Sequence, residues 1–242
     1  MKLIKLDAID STNDFLKRLS GQQYVENFTV ITAENQTKGK GQMGSEWVSE
    51  IGKNLIMSIL VKDFLTENYQ IFNLNIVVSM AVIQALDELK IPKLSVKWPN
   101  DIMSDNKKIG GILIENSLKS DGTITSVVGL GLNVNQTNFV QLPKGSSLAL
   151  VCNTTFDKEE ILLLVVKHIK NNIEVWSEKA TEFWSNYMNS LFKKDIPMPF
   201  QDKHDKNFMG IVKGVSDEGK LQIQLEDDSI GTFDIKEIQM LF

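Results

Sequence analysis

Residues 97–115 read K-W-P-N-D-I-M-S-D-N-K-K-I-G-G-I-L-I-E, so that an acid, several lysines and a pair of glycines lie between two apolar runs. These residue types at this spacing suit chemistry on an anionic ligand. A carboxylate can meet a metal ion or accept a proton, and ammonium groups can neutralise oxyanions. Paired glycines let a ligand lie directly on backbone. Arg18 is the single arginine of the chain, so lysine must do nearly all the anion binding.

The elements around this stretch follow from simple local rules. Leu94-Ser95-Val96 leads in as a strand, and Pro99 ends it, because proline offers no N–H to the ladder and biases Trp98 away from helix. Asn100 and Asp101 then fall just past a strand end, and residues 108–114 resume β structure. Upstream, residues 2–8 read as a strand and Ser11-Thr12-Asn13-Asp14 as a helix N-cap. By itself that cap means a helix start and nothing more. Residues 28–33 alternate as a strand, and a long polar loop spans 34–53. Within the loop, residues 39–44 formally match G-x-G-x-x-G. The dinucleotide reading fails, since that fingerprint needs a helix directly after the glycines, whereas this segment leads through Trp47 to a strand at 54–61. A large aromatic in a glycine-rich loop is instead suited to close over a flat ligand.

Residues 72–89 carry the apolar stripe of a core helix, and a turn at 117–122 joins two long antiparallel strands, the second at 124–134. Gly129 and Gly131 weaken that strand unless something approaches it closely, which points to the same pocket. Residues 139–155 look irregular. Asp157 caps a helix to about Trp176, and 181–191 read as a second. His168 and His204 are expected at the surface or its boundary, without a catalytic role. From Lys194 onward, short alternating strands with turns at 217–219 and 227–229 suggest a small five-stranded barrel.

With 242 residues, 42% of them hydrophobic, the chain can bury a substantial core. Its apolar runs fall short of the ~20 residues that span a bilayer. The amino terminus places acids where a secretory signal needs an apolar region, so a cytoplasmic protein is expected. Cys152 is the only cysteine, which excludes an intrachain disulfide and a cysteine-built zinc site. A net charge of −5 argues against broad nucleic-acid binding.

K-W-P-N-D at 97–101 with K-I-G-G-I-L-I-E at 108–115 resembles the signature of biotin protein ligases, the enzymes that attach biotin to carboxylases. S-T-N at 11–13, E-N-Q-T-K-G-K-G-Q-M-G at 34–44 with Trp47, and G-L-G-L-N at 129–133 follow in the family's order. The resemblance implies an α+β fold, with a mixed, largely antiparallel, class II synthetase-like sheet packed with helices over residues 1–192 and an SH3-like barrel over 193–242. It implies ATP and magnesium (Mg2+) as cofactors and biotin as substrate. The carboxylate of biotin attacks the α-phosphorus of ATP, and the resulting biotinyl-5'-AMP is passed to a lysine of a biotin carboxyl carrier protein. Ser11, Thr12, Asn13, Gln36, Gly39, Lys40, Gly41, Gln42, Lys108 and Gly111 then hold biotin, and Trp47, Asn100, Gly131, Asn133 and Lys108 the nucleotide. Lys108, Asp101 and Lys40 take the catalytic roles, with Asp101 as the metal ligand. Dimerisation through sheet edges occurs in this family. Because the pattern begins by residue 9, no amino-terminal DNA-binding domain is expected, nor DNA or a membrane as partner. Two alternatives stand beside this reading: a lipoate or octanoate ligase-type acyltransferase, whose arginine-rich, triple-glycine and cysteine motifs are missing, and a non-catalytic biotin-binding regulator.

The loop departs from the family pattern, with Lys40 where arginine is usual and Gln42 at a second arginine position. Arginine grips phosphate with two parallel hydrogen bonds, while lysine offers a point charge and glutamine none. Loss of one charge-assisted contact is worth about 1–3 kcal/mol, or roughly one to two decades in release rate. Unless Lys38, Lys53 or Lys107 compensates, the intermediate is expected to escape and label a bystander protein supplied with enzyme, biotin and ATP. Gln42→Arg should reduce that labelling. An unchanged release rate in this variant, with no bystander labelling by wild type, would place position 42 away from the phosphate.

Overall fold

The computed structural model describes residues 2–65, 71–118 and 121–242. Seven of its strands are β1 (Leu3–Ile9), β2 (Val30–Gln36), β3 (Leu55–Lys62), β4 (Leu94–Lys97), β5 (Asp101–Ser104), β6 (Lys107–Leu118) and β7 (Ile124–Leu132). They form one sheet in the order β1-β2-β3-β7-β6-β5-β4, antiparallel throughout except for the parallel β1–β2 pair. Residues 119–120, within the turn expected at 117–122, lie outside the described residues.

Side-chain alternation along the central strands sets the layers. The helices are α1 (Thr12–Gln22), α2 (Ile71–Glu88), α3 (Leu148–Cys152) and α4 (Lys158–Asn189). Met57 and Ile59 of β3, with Val128 and Leu130 of β7, join the large apolar cluster under α2 and α4. Leu60, Val127 and Ile31 of β2 point to the other face, against Leu16 of α1. At 18 residues and a mean hydropathy of 1.3, α2 is apolar enough to cross a membrane by length and composition. Its apolar character is accounted for by burial between the sheet and α4, where Leu74, Val78 and Ala81 are fully covered.

Three elements differ from the sequence expectation. A single 32-residue helix, α4, replaces the two expected after Asp157. Residues 177–180, S-E-K-A, contain no proline or glycine to stop it, and the buried Phe183 and Tyr187 carry its apolar face onward. The stretch 139–155, expected to be irregular, contains α3, which Ser147 caps through Leu150 N–H. A tight hairpin pairs Lys97 with Asp101, so Asp101, just past the end of β4 as expected, also opens a further strand, β5. Elsewhere the shifts are small: β2 begins after Phe28, whose φ of 61° is not a strand conformation, and runs on to Gln36. Cys152 ends α3 half-buried, and burial pushes its thiol pKa up, which suits an inert thiol.

The C-terminal strands β8 (Pro197–Asp202), β9 (Asn207–Val215), β10 (Leu221–Gln224), β11 (Ile230–Phe233) and β12 (Ile238–Met240) form a second, antiparallel sheet, ordered β11-β10-β9-β8-β12. Phe200, Val212 and Ile223 from this sheet join the same apolar cluster as α2 and the main sheet. Gly219 sits at the seam. Its carbonyl accepts a 2.8 Å hydrogen bond from Trp98 Nε1, its φ is +87°, and a Cβ there would lie 2.4 Å from Phe72 of α2. Gly219→Ala should therefore cost about 2 kcal/mol through strain and overlap together, measurable as a lowered thermal unfolding midpoint.

Candidate active site

One row across the main sheet builds the floor of the site. Ile56 of β3 pairs with Gly131 of β7, Gly131 with Gly111 of β6, and Gly111 with Asp101 of β5. Cross-strand partners share a face, so a strip of bare backbone runs from Ile56 to the Asp101 carboxylate. Between Ile102 and Met103 the β5–β6 register slips, and Lys108 rather than Ile109 stands opposite Met103. This bulge re-aims the strand end: Ile109 is buried in the core, while Lys108 Nζ reaches Asp101 Oδ1 at 2.5 Å. Lys97 Nζ approaches the other carboxylate oxygen at 3.5 Å, so Asp101 lies between two ammonium groups.

The glycine-rich loop folds over this floor as a miniature hairpin. Lys40 bridges Glu46, Gly41 N–H bonds Ser45 O, and Trp47 N–H bonds Gly39 O. A single 3-10 turn at Gln42–Gly44 makes the tip, with Met43 at φ 53° and Gly44 at φ 82°. Trp47 lies flat against Gly131, where a Cβ would meet the indole at 2.4 Å, and Lys108 Nζ is 5.8 Å from its ring. Asn13 occupies the matching position over Gly129, 2.5 Å from where a Cβ would stand. The groups that need bare backbone at these two glycines are thus the protein's own side chains.

A cavity of about 290 Å³ lies between loop and floor. Its inner end is polar and buried. Thr12 N–H and Oγ1 donate to Gln36 Oε1 at 2.8 and 3.0 Å, and Ser58 Oγ lies 2.8 Å from Thr12 Oγ1 and 2.6 Å from Asn13 Oδ1. Asn13 Nδ2 donates to Glu115 at 2.9 Å, and Lys17 holds the other Glu115 oxygen at 2.8 Å. The outer end is charged, with Lys40, Lys108 and Lys236 set against Asp101 and Glu46. Lys40 pairs with Asp14 at 2.6 Å, and that hydrogen bond raises the lysine pKa, keeping the ammonium charged.

Most of the residues singled out from sequence line this cavity: Ser11, Thr12, Asn13, Gln36, Lys40, Gly41, Gln42, Trp47, Asn100, Asp101, Lys108, Gly111 and Gly131. Two do not. Gly39 is buried behind the loop, where a Cβ would lie 2.3 Å from Trp47 O. Asn133 is also buried, and its amide donates to Ser146 O at 3.0 Å. Asn100 lines the wall while its side chain bonds Ile112 O at 2.6 Å. Lys38, Lys53 and Lys107, expected as compensating charges, are not in the wall, and Lys107 Nζ bonds Pro143 O at 2.7 Å. Sequence reasoning missed Ser58, Asp14, Ile235 and Lys236. Ser58 had a signal, as the lone hydroxyl in the apolar run of β3; the last two come from the turn before the final strand and had none.

Two polar atoms in this region are buried without a partner among the described residues, the Gln42 carboxamide oxygen and Trp47 Nε1. Such atoms in a ligand cavity are ones that a ligand would satisfy. No cluster of three or more metal-ligating side chains occurs among the described residues. Asp101 is the wall carboxylate that could join a magnesium ion held mainly by a nucleotide's phosphates, and it would be shared between that ion and its contacts to Lys97 and Lys108.

Fold and site together define a protein of the mixed-sheet α+β class with a glycine-floored cavity, covered by a loop and cationic at its outer end. The model for the biotin/lipoate A/B protein ligase family matches residues 6–135, and the chain belongs to that family. Among its relatives, the bifunctional ligase/repressor BirA of Escherichia coli is 26% identical over 93% of this chain and 69% of its own length. The biotin--[acetyl-CoA-carboxylase] ligase of Mycobacterium tuberculosis is 25% identical over 87% of this chain and 79% of its own. The biotin protein ligase from Aquifex aeolicus in complex with biotin and ATP superposes with a TM-score of 0.79 at 28% identity, covering 99% of this chain and 98% of that one.

Because Trp47 rests on the bare backbone of Gly131, Gly131→Ala is expected to push the indole off the floor and open the loop. Faster proteolysis within 39–47 and weakened ligand binding, with the far-ultraviolet circular dichroism unchanged, would be the result. Unaltered protection of the loop would place the indole elsewhere.

Proposed function

We propose that the chain is an ATP-dependent biotin protein ligase, forming biotinyl-5'-AMP and transferring biotin to a lysine of a biotin carboxyl carrier protein. The observation that carries this reading is the Asp101–Lys108 pair at the end of a glycine-floored cavity, within a fold that matches, end to end, a ligase solved with biotin and ATP. The polar inner end formed by Thr12, Asn13, Gln36 and Ser58 offers hydroxyls and amides that the ureido group of biotin can bond and an alkyl chain cannot, which favours biotin over an octanoate substrate.

In the first step a biotin carboxylate oxygen bonds to the α-phosphorus of ATP as the bond to the β-bridging oxygen breaks, and pyrophosphate leaves. Two anions must meet, so the need is for charge and alignment rather than an enzyme nucleophile. Lys108 sits where carboxylate and α-phosphate converge and offsets their repulsion. Magnesium, when bound, neutralises the leaving pyrophosphate, with Asp101 as its protein ligand. Trp47 and the loop exclude water, which protects the mixed anhydride from hydrolysis. In the second step the carrier lysine nitrogen attacks the acyl carbon, the C–O bond to AMP breaks, and the amine gives up its proton, for which Asp101 is the acceptor.

The separation of the strands into two sheets supports a division into a catalytic part, 1–192, and a C-terminal part, 193–242. The net charge of −5 supports a partner set without DNA, and the place of β1 at the end of its sheet supports pairing with a second copy of the chain. Use of ATP and of a carboxylase carrier suits the cytoplasm.

Purified protein should catalyse biotin-dependent exchange of pyrophosphate into ATP. Lys108→Ala should lower that exchange at least about 100-fold while the thermal midpoint holds, because a half-exposed lysine carries little packing. Asp101→Asn should weaken its magnesium dependence. A wild type without exchange rules out the ligase, and near-normal exchange by Lys108→Ala removes that residue from the chemistry.

A further inference from the structure

We infer that Glu115 is a positioning and specificity-determining residue of the biotin site: it fixes the Asn13 carboxamide so that the ligand meets an acceptor oxygen. The inference rests on the ligase reading above and deepens it. Gly111, Leu113 and Glu115 alternate on one face of β6. Leu113 lines the cavity and Glu115 does not, so Glu115 reaches a ligand through Asn13, which is 3% exposed and forms part of the wall.

Asn13 Nδ2 donates to Glu115 Oε2 at 2.9 Å and to Leu113 O at 3.3 Å. Both partners only accept, so the NH2 end of the amide must face β6. Asn13 Oδ1 accepts from Ser58 Oγ at 2.6 Å, and its second lone pair is the polar capacity that Asn13 keeps for a ligand. The ligand group that fits there carries an N–H, as a cyclic urea does. A reversed amide would set Oδ1 against the carboxylate, which Glu115 thereby forbids. The carboxylate serves two donors at once, because Lys17 Nζ lies on its Oε1 at 2.8 Å while Asn13 lies on Oε2. A carboxylate has an oxygen for each donor, whereas a carboxamide has one oxygen and one NH2. Glutamine at position 115 would turn its oxygen to the ammonium, the stronger partner, and its NH2 to Asn13, donor against donor. Asn13 would then flip, and a ligand N–H would meet an NH2.

The test measures biotin-dependent pyrophosphate exchange, and biotin binding by calorimetry, for Glu115→Gln alone and combined with Lys17→Met. Glu115→Gln should raise the KM and Kd for biotin by about tenfold, with the KM for ATP and kcat changed less. The Glu115 side chain is 23% exposed and the substitution keeps its shape, so the fold should hold. Adding Lys17→Met frees the glutamine oxygen to face Asn13, and the double variant should recover most of the loss. If Glu115 and Lys17 merely brace α1 against β6, removing the second partner deepens the loss instead. A double variant no better than Glu115→Gln therefore overturns the inference. Equal rises in the KM for biotin and for ATP also overturn it, as does an unchanged KM for biotin in Glu115→Gln beside normal wild-type exchange. A wild type that neither binds biotin nor exchanges pyrophosphate overturns the ligase reading and this inference with it.

Discussion

Bare backbone in the middle of a sheet is the constraint on which this structure depends. Gly111, Gly129 and Gly131 lie on one face of β6 and β7, and the close approach of Asn13 and Trp47 to the latter two leaves no room for a Cβ. Glycine weakens a strand, so a site of this kind needs support from the opposite face. That support is the apolar underside of the same strands, where Val128, Leu130 and Leu132 are buried with α2 and α4. The all-apolar character of α2 and the glycines of β7 are two halves of one arrangement, in which one face holds the sheet together while the other is free to hold a ligand.

A second consequence follows from the register slip between β5 and β6. A residue shifted by one in a strand moves to the other face. Without the bulge, Ile109 would stand where Lys108 does, and the lysine would lie on the side of the core. Lysine is rarely buried without a partner, so the bulge and the ion pair with Asp101 support each other. The turn that carries Asp101 is fixed from behind as well, by the Asn75 amide of α2 on Pro99 O at 3.0 Å and by Trp98 on Gly219 O of the C-terminal segment.

The cavity separates two kinds of electrostatics. At its inner end neutral hydroxyls and amides satisfy one another in a closed, buried network, which favours a neutral polar ligand group whose bonds replace theirs. At its outer end charged groups face solvent, where ATP and a carrier lysine can enter. On the proposed reading, a ligand with a polar ring at one end and a carboxylate at the other would span both, with its reactive group toward Lys108.

Local chemistry in the sequence was enough for much of this. The Ser11 cap, the strand-breaking Pro99, the glycines that only close approach explains, and the absence of a helix after the glycine-rich loop each depend on neighbours within a few residues, and so they were legible. The motif spacing identified Lys108 and Asp101, but not the bulge that points them at each other, because register is a property of two strands and not of one. The continuous α4 was misread where its periodicity lapses at 177–180, since its far half is held by contacts such as Phe72 with Tyr187 that no local pattern encodes. Asp14 and Lys236 were invisible as site residues for the same reason, and Ser58 showed only as a lone hydroxyl in an apolar strand. Each is an ordinary polar residue in its own segment, and only the folded chain, by setting Lys236 against Met43 and Ser58 against Asn13, gives it a place in the site.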